Sequence, residues 1–244
     1  MFMKKIAILA LSFLFITFVS AQETETPEKK KEPVNIQGKA NDHLMVQIGY
    51  TGWAGKPDSI NTGGFSRSLN IYFMLNFPFK TSPKLSVAAG LGIGSDNIKF
   101  KKTYVGIKEQ TSTLQFIDQE DTTHFKKTKL ATAYVELPVE LRFVSNPANS
   151  DKSFKFAIGV KGGYMINAHT RNKTLETRNG TAINDYLMKE GSKRYFNTGR
   201  LVGTARIGWG HFTIFGTYQF TNLFKEGVAA EMKPFTVGLT LSGL

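Results

Sequence analysis

Residues 131–144, ATAYVELPVELRFV, alternate without a break between two kinds of side chain. Ala133, Val135, Leu137, Val139, Leu141 and Phe143 share one parity; Tyr134, Glu136, Glu140 and Arg142 share the other, with Pro138 among them. Strict period two describes a strand with one apolar and one ionic face. A fold that accepts this strand needs an apolar medium on one side and compensated charge on the other. Pro138 offers no N–H to a ladder, so a bulge or local bend is expected there.

The same alternation recurs from His43 onward and predicts eight strands, all antiparallel, at 43–51, 68–79, 85–94, 131–144, 154–167, 200–209, 211–220 and 235–242. The second puts Leu69, Ile71, Phe73, Leu75 and Phe77 opposite Asn70, Tyr72 and Asn76; the third sets Val87, Leu91 and Ile93 against Ser86, Gly90, Gly92 and Gly94. The connections then alternate in length. Those from second to third, fourth to fifth and sixth to seventh strand are short; the other four are longer, above all residues 101–129 and 171–198. This alternation is the rule of an even-stranded transmembrane barrel with both termini in the periplasm and its long loops outside. Aromatic residues fall at both ends of the strands. Phe77, Phe79, Phe143, Phe154, Trp209 and Phe212 lie at the short-turn ends; Tyr50, Trp53, Tyr164, Tyr218, Phe220 and Phe235 lie at the long-loop ends. Two girdles at two lipid interfaces are expected of rings that are apolar but carry a polar edge. The fold class expected is therefore all-β, a transmembrane eight-stranded antiparallel up-and-down β-barrel over residues 43–244.

The N-terminus agrees with an exported chain. Lys4 and Lys5 precede an apolar run that ends in Val19-Ser20-Ala21, so residues 1–21 read as a signal peptide. Residues 22–42, rich in Glu and Lys with two prolines, bury almost nothing and read as a flexible periplasmic tail. No later window is apolar enough to cross a bilayer as a helix. The chain has no cysteine, which excludes disulfides, thiol nucleophiles and cysteine metal sites. Its net charge of +12 points to anionic partners; export argues against nucleic acid and for outer-membrane lipid and lipopolysaccharide.

A soluble lipocalin-like barrel with the apolar parity inside fails on volume, because eight strands leave interior room only for side chains and the Phe, Leu and Ile rows overfill it. With the polar parity inside, Glu136, Glu140 and Arg142 share the lumen with Lys155, Lys161 and Arg206. The functional reading of that set is an ion path or a carboxylate pair for acid–base chemistry. The structural reading, which the narrow lumen favours, is an ionic plug whose buried charges are tolerable because they are paired. Elsewhere the chemistry is thin. Gly90-Leu-Gly92-Ile-Gly94 has dinucleotide-loop spacing but no helix follows it, so the glycines read as room made inside the barrel. His43, His124, His169 and His211 lack the paired spacing of a metal site and read as surface or turn positions. No catalytic residue, metal or cofactor is expected.

The leader ending in Ala21-Gln22, the eight strands, the stretch YVELPVELRF and the closing FTVGLTLSGL resemble the outer-membrane β-barrel proteins of Bacteroidota, including the PorT-like group, and OmpA-like eight-stranded barrels. Thr236, Gly238 and Leu241 are similar to the C-terminal signal read by the barrel-assembly machinery; Gly243 and the final Leu244 depart from it. The resemblance implies a Gram-negative outer-membrane protein with a structural or interaction role, such as a subunit of a secretion or gliding apparatus. The alternative class is a small porin-like transport channel, or an enzyme or adhesin acting through lumen or loops.

Overall fold

The computed structural model describes residues 43–243; the expected signal peptide and tail, and Leu244, lie outside the described residues. Eleven strands follow in order: β1 (Leu44–Ala54), β2 (Arg67–Pro78), β3 (Leu85–Phe100), β4 (Thr103–Val105), β5 (Phe116–Asp118), β6 (His124–Val144), β7 (Phe154–Glu176), β8 (Ala182–Gly191), β9 (Gly199–Trp209), β10 (Phe212–Gln219) and β11 (Lys233–Ser242). Every pairing is antiparallel. β6-β3-β2-β1-β11-β10-β9-β7 pair in series, and β6 also pairs with β7, so eight strands close into a ring. β1 meets β11 from Met45↔Ser242 to Ala54↔Lys233. A closed ring has no unpaired edge, the condition a sheet must satisfy in lipid.

Burial alternates along the strands in the sense opposite to that of a soluble sheet. In β2, Leu69, Ile71, Phe73, Leu75 and Phe77 are exposed while Ser68, Asn70, Tyr72 and Met74 are buried. The same inversion holds along β6, where Val135, Leu137, Val139 and Leu141 point out and Tyr134, Glu136, Glu140 and Arg142 point in. The outer face is thus an apolar belt around the ring and the polar side chains fill the lumen. The third-strand glycines serve that filling. A Cβ on Gly92 would stand 2.2 Å from the Ile71 carbonyl oxygen and 2.4 Å from the Tyr72 ring, and one on Gly90 would stand 2.4 Å from the Met74 sulfur.

Three expectations are corrected. First, the strands run further than the alternation indicates: β3 continues through Asp96 and Ile98 to Phe100, and β6 and β7 have 21 and 23 residues, about twice the ~9–11 needed to cross a tilted barrel's apolar band. The two long connections are therefore partly sheet. β8 pairs with the far part of β7, and β4 with β5 forms a separate hairpin. Second, Pro138 carries no bulge. It sits opposite Lys161 of β7, and on the other side the ladder to β3 skips Gly90 and Leu91 before resuming in the same register. The missing donor costs a gap in one ladder, which the two flanking ladders bridge. The register shift lies instead at Ile166 of β7, because Met165 faces Tyr134 while Asn167 faces Ala133. One extra residue reverses parity beyond it. Below the bulge even-numbered β7 residues face outward, Ile158, Val160 and Ile166 among them; above it Arg171 and Lys173 are exposed while Thr170 and Asn172 are buried.

Third, Trp53 is not a girdle residue. It is 8% exposed and turned inward, where its ring stands 5.7 Å from Phe100, 6.4 Å from Phe116 and 5.8 Å from Phe224. Of the other expected girdle residues, Tyr50, Phe77, Phe79, Tyr164, Trp209, Phe212, Tyr218 and Phe220 are exposed on the belt, and Phe143, Phe154 and Phe235 are half-buried.

Candidate functional site in the lumen and its mouth

Period-two alternation brings the charged residues of four strands to the axis. At mid-height Glu136, wholly buried, takes Nε and Nη2 of Arg200 on Oε1 at 2.8 and 2.7 Å. Its other oxygen accepts from the Tyr72 hydroxyl and from Lys161 Nζ at 3.5 Å, and Lys161 also donates to the Tyr72 oxygen at 2.9 Å. Arg200 reaches Asp96 Oδ2 with Nη1 at 2.7 Å and lays its guanidinium 3.6 Å above the Tyr134 ring. Two carboxylates thus face two cations, and the quartet is neutral. Charges in so little water persist only when each finds a partner, and here the planar guanidinium binds two acids at once.

A second group lies toward the short turns. Glu140 Oε2 accepts from Arg206 Nη2 at 2.9 Å and Nε at 3.2 Å, and from Arg142 Nε at 3.0 Å. Lys155 is buried beside them, and a void lined by Arg142, Lys155, Arg206 and Thr213 measures about 10 Å³. A similar void of about 10 Å³ adjoins Lys161, Arg200 and Asp96. Each is at most the size needed for one water.

All six residues expected in the lumen, Glu136, Glu140, Arg142, Lys155, Lys161 and Arg206, are there. Three that matter as much were missed. Asp96 lies beyond the expected end of the third strand. Arg200 is the first residue of the expected strand 200–209, on the parity of Thr204 and Arg206. Tyr72 is expected on the inward parity but outside the ion network. Continuing the period of β3 past Gly94 would have placed Asp96 inside, because Asp96 shares the parity of Gly90, Gly92 and Gly94.

Above the quartet the lining turns apolar. Trp53, Ile98, Phe100, Leu130, Met165 and Ala168 from the strands pack with Ile60, Val105, Ile107, Leu114, Tyr195, Phe196, Leu223, Phe224 and Met232 from the four longer connections. The connections are tied to one another as well: the Leu114 amide donates to the Val228 carbonyl at 2.7 Å, and the Tyr195 hydroxyl donates to the Thr111 carbonyl at 2.9 Å. The mouth is closed by a hydrophobic cap that the loops' polar composition concealed. The histidines stay apart. His43 and His211 contact the carbonyls of Met74 and Ser242, His124 is buried next to the Thr122 carbonyl, and His169 is half-buried; among the described residues no group of three or more His, Asp or Glu could hold a metal.

The sheet is thus inverted, closed into a ring and lined by buried, paired charges. The family model of the outer membrane protein beta-barrel domain matches residues 21–228. The chain belongs to this family. Membership makes it an integral β-barrel of the bacterial outer membrane, with the apolar belt in contact with lipid. No curated protein matches. Among solved structures, this outer membrane barrel is similar to Ail, the attachment invasion locus protein of Yersinia pestis, in complex with the heparin analogue sucrose octasulfate (12% identity over 81% of this chain and 96% of Ail, TM-score 0.30). Ail in a phospholipid nanodisc gives 14% identity over 81% and 97% of the chains, with a TM-score of 0.29. A mutant of Rh. blastica porin gives 10% identity over 81% and 98%, with a TM-score of 0.20. At these scores the likenesses add no weight to the fold.

Proposed function

We propose that this barrel is a closed, non-conducting outer-membrane scaffold that acts through its outer wall and protruding sheet, with both termini in the periplasm and β6, β7 and β8 rising from the cell surface. The neutral quartet of Glu136, Asp96, Arg200 and Lys161 beneath the cap carries the reading. An ion entering this lumen would have to separate buried pairs and displace packed rings, and neither the quartet nor the Glu140 group presents an acceptor to a substrate. The long β6–β7–β8 extension offers a rigid surface for a partner, in keeping with the resemblance to PorT-like subunits of secretion or gliding machinery, and the C-terminal strand would be handed to the barrel-assembly machinery. Planar-bilayer recording with the purified folded barrel tests closure, with no unitary steps expected; robust steps would overturn it. Affinity purification from the native outer membrane tests the scaffold role, for which stoichiometric secretion-apparatus subunits are expected.

A further inference from the structure

The outer wall just beyond the apolar belt carries a row of cations held in register by four adjacent strands. Lys99 of β3 faces Lys129 of β6, Lys129 faces Arg171 of β7, and Arg171 faces Lys189 of β8. The next row begins with Lys127↔Lys173. All point to the side on which Val135 and Leu137 meet lipid, because β6 keeps its parity throughout and the bulge at Ile166 turns Arg171 and Lys173 outward. Like charges directly opposed across strands repel. Among the described residues no carboxylate pairs with Lys99, Lys129, Arg171 or Lys189; Lys129 donates instead to the Asn97 side chain at 3.1 Å. Burial and the neighbouring Arg171, Arg67, Lys99 and Lys189 pull the Lys129 pKa below its usual value. A groove of about 600 Å³ is lined by Lys99, Lys129 and Arg171 of this row and by Lys127 and Lys173 of the next; its one carboxylate, Glu176, is paired with Lys126.

A fold that lines up repelling charges without internal compensation has its counterion outside. We propose that the row Lys99–Lys129–Arg171–Lys189 is a docking site for the phosphorylated head group of an outer-leaflet glycolipid. The occupant is a lipid because the row continues the lipid-facing wall: a molecule whose acyl chains lie on Val135, Leu137 and Ile166 brings its head group to this height. Four strands set about 4.8 Å apart make the row about 14 Å wide, enough to meet two phosphate groups at once. The inference rests on the surface orientation proposed above.

The test compares the folded parent with the Lys99→Gln, Lys129→Gln, Arg171→Gln triple variant in neutral detergent, titrated with diphosphorylated lipid A, the same lipid after phosphatase treatment, and inositol hexakisphosphate. The parent is expected to bind diphosphorylated lipid A, and the triple variant to lose at least about tenfold in affinity, the loss of one or more charge-assisted bonds. Removing phosphate from the lipid is expected to have an effect of the same size. In lipid-free micelles the variant is expected to be at least as heat-resistant as the parent, because repulsion has been relieved; a less stable variant would assign the row a structural role and overturn the proposal. Equal binding by parent and variant, or equally tight binding of the soluble hexakisphosphate, would also overturn it. Orientation is read separately. The chain has no cysteine, so Asn179→Cys in the β7–β8 turn reports exposure to an impermeant thiol reagent on intact cells. No labelling would sink the surface orientation; labelling with unchanged lipid A binding would sink only the docking site.

Discussion

Replacing Glu136 by Gln keeps the shape of the side chain and removes its charge, which isolates the electrostatic part of the plug. In the parent the quartet is neutral. In the variant Arg200 keeps Asp96 at 2.7 Å, whereas Lys161 retains only the Tyr72 hydroxyl at 2.9 Å. Lys161 is 4% exposed, so the stranded charge is shielded from bulk water. Breaking a buried pair on one side costs about 3–5 kcal/mol, mostly the penalty of the orphaned partner. The readout is the urea midpoint by tryptophan fluorescence in micelles, alongside the temperature at which the folded gel band converts to the unfolded one. Adding Lys161→Met to Glu136→Gln restores neutrality and is expected to recover more than half of the loss. A Glu136→Gln change of less than about 0.5 kcal/mol, the range of an unremarkable surface substitution, would refute the reasoning, as would a double variant no better than the single one.

Trp53→Ala removes the ring at the centre of the cap and is expected to cost about 3–5 kcal/mol, read from the same urea midpoint; a cost near zero would mean the cap contributes no packing. Leu137→Arg places a cation on the lipid face of β6, and near mid-belt it is expected to cost about 2–4 kcal/mol in bilayer vesicles; a harmless outcome there would contradict the inverted sheet. Burial, followed by Lys189, Lys129 and Arg171, holds the His169 pKa below its ordinary value. Because the folded pKa is depressed, the contribution of His169 to stability is complete above about pH 6.5, the ordinary histidine value, and is lost as pH falls from there through the folded value. His169→Asn is expected to flatten that decline in urea midpoints, and an NMR titration of His169 at or above its ordinary value would refute the assignment.

The belt and the lumen were legible in the sequence because both depend on parity, and parity survives errors in strand ends. Glu136 and Arg206 could be placed inside without knowledge of which strands are neighbours. Their partners could not. Arg200 binds Glu136 across the lumen from a strand 64 residues away, and Asp96 is 104 residues from Arg200; such pairings follow from ring closure and stagger, which alternation does not encode. The cap was hidden for a different reason. Val105, Ile107, Leu114 and Phe196 are isolated apolar residues in polar stretches with no period, and they become a core only when four separate connections converge. Trp53 was misplaced by the same convergence, since a tryptophan at a strand end reads as an interfacial ring unless something packs over the mouth. The Ile166 bulge leaves no mark in composition, yet it decides which way Arg171 and Lys173 point.

The seam between β1 and β11 governs how this protein can be made. Gln47 donates to the Thr240 hydroxyl across 193 residues of chain, so β1 waits for β11 before its second edge is paired. Until then β1 and β10 each present a row of open backbone groups, a form prone to aggregate in water and excluded from the hydrocarbon. Folding strand by strand during synthesis is thereby barred, and the chain must be held open until the ten residues of β11, Lys233–Ser242, arrive. Loss of that last segment would leave not a smaller barrel but a sheet with two sticky margins, a substrate for periplasmic proteolysis.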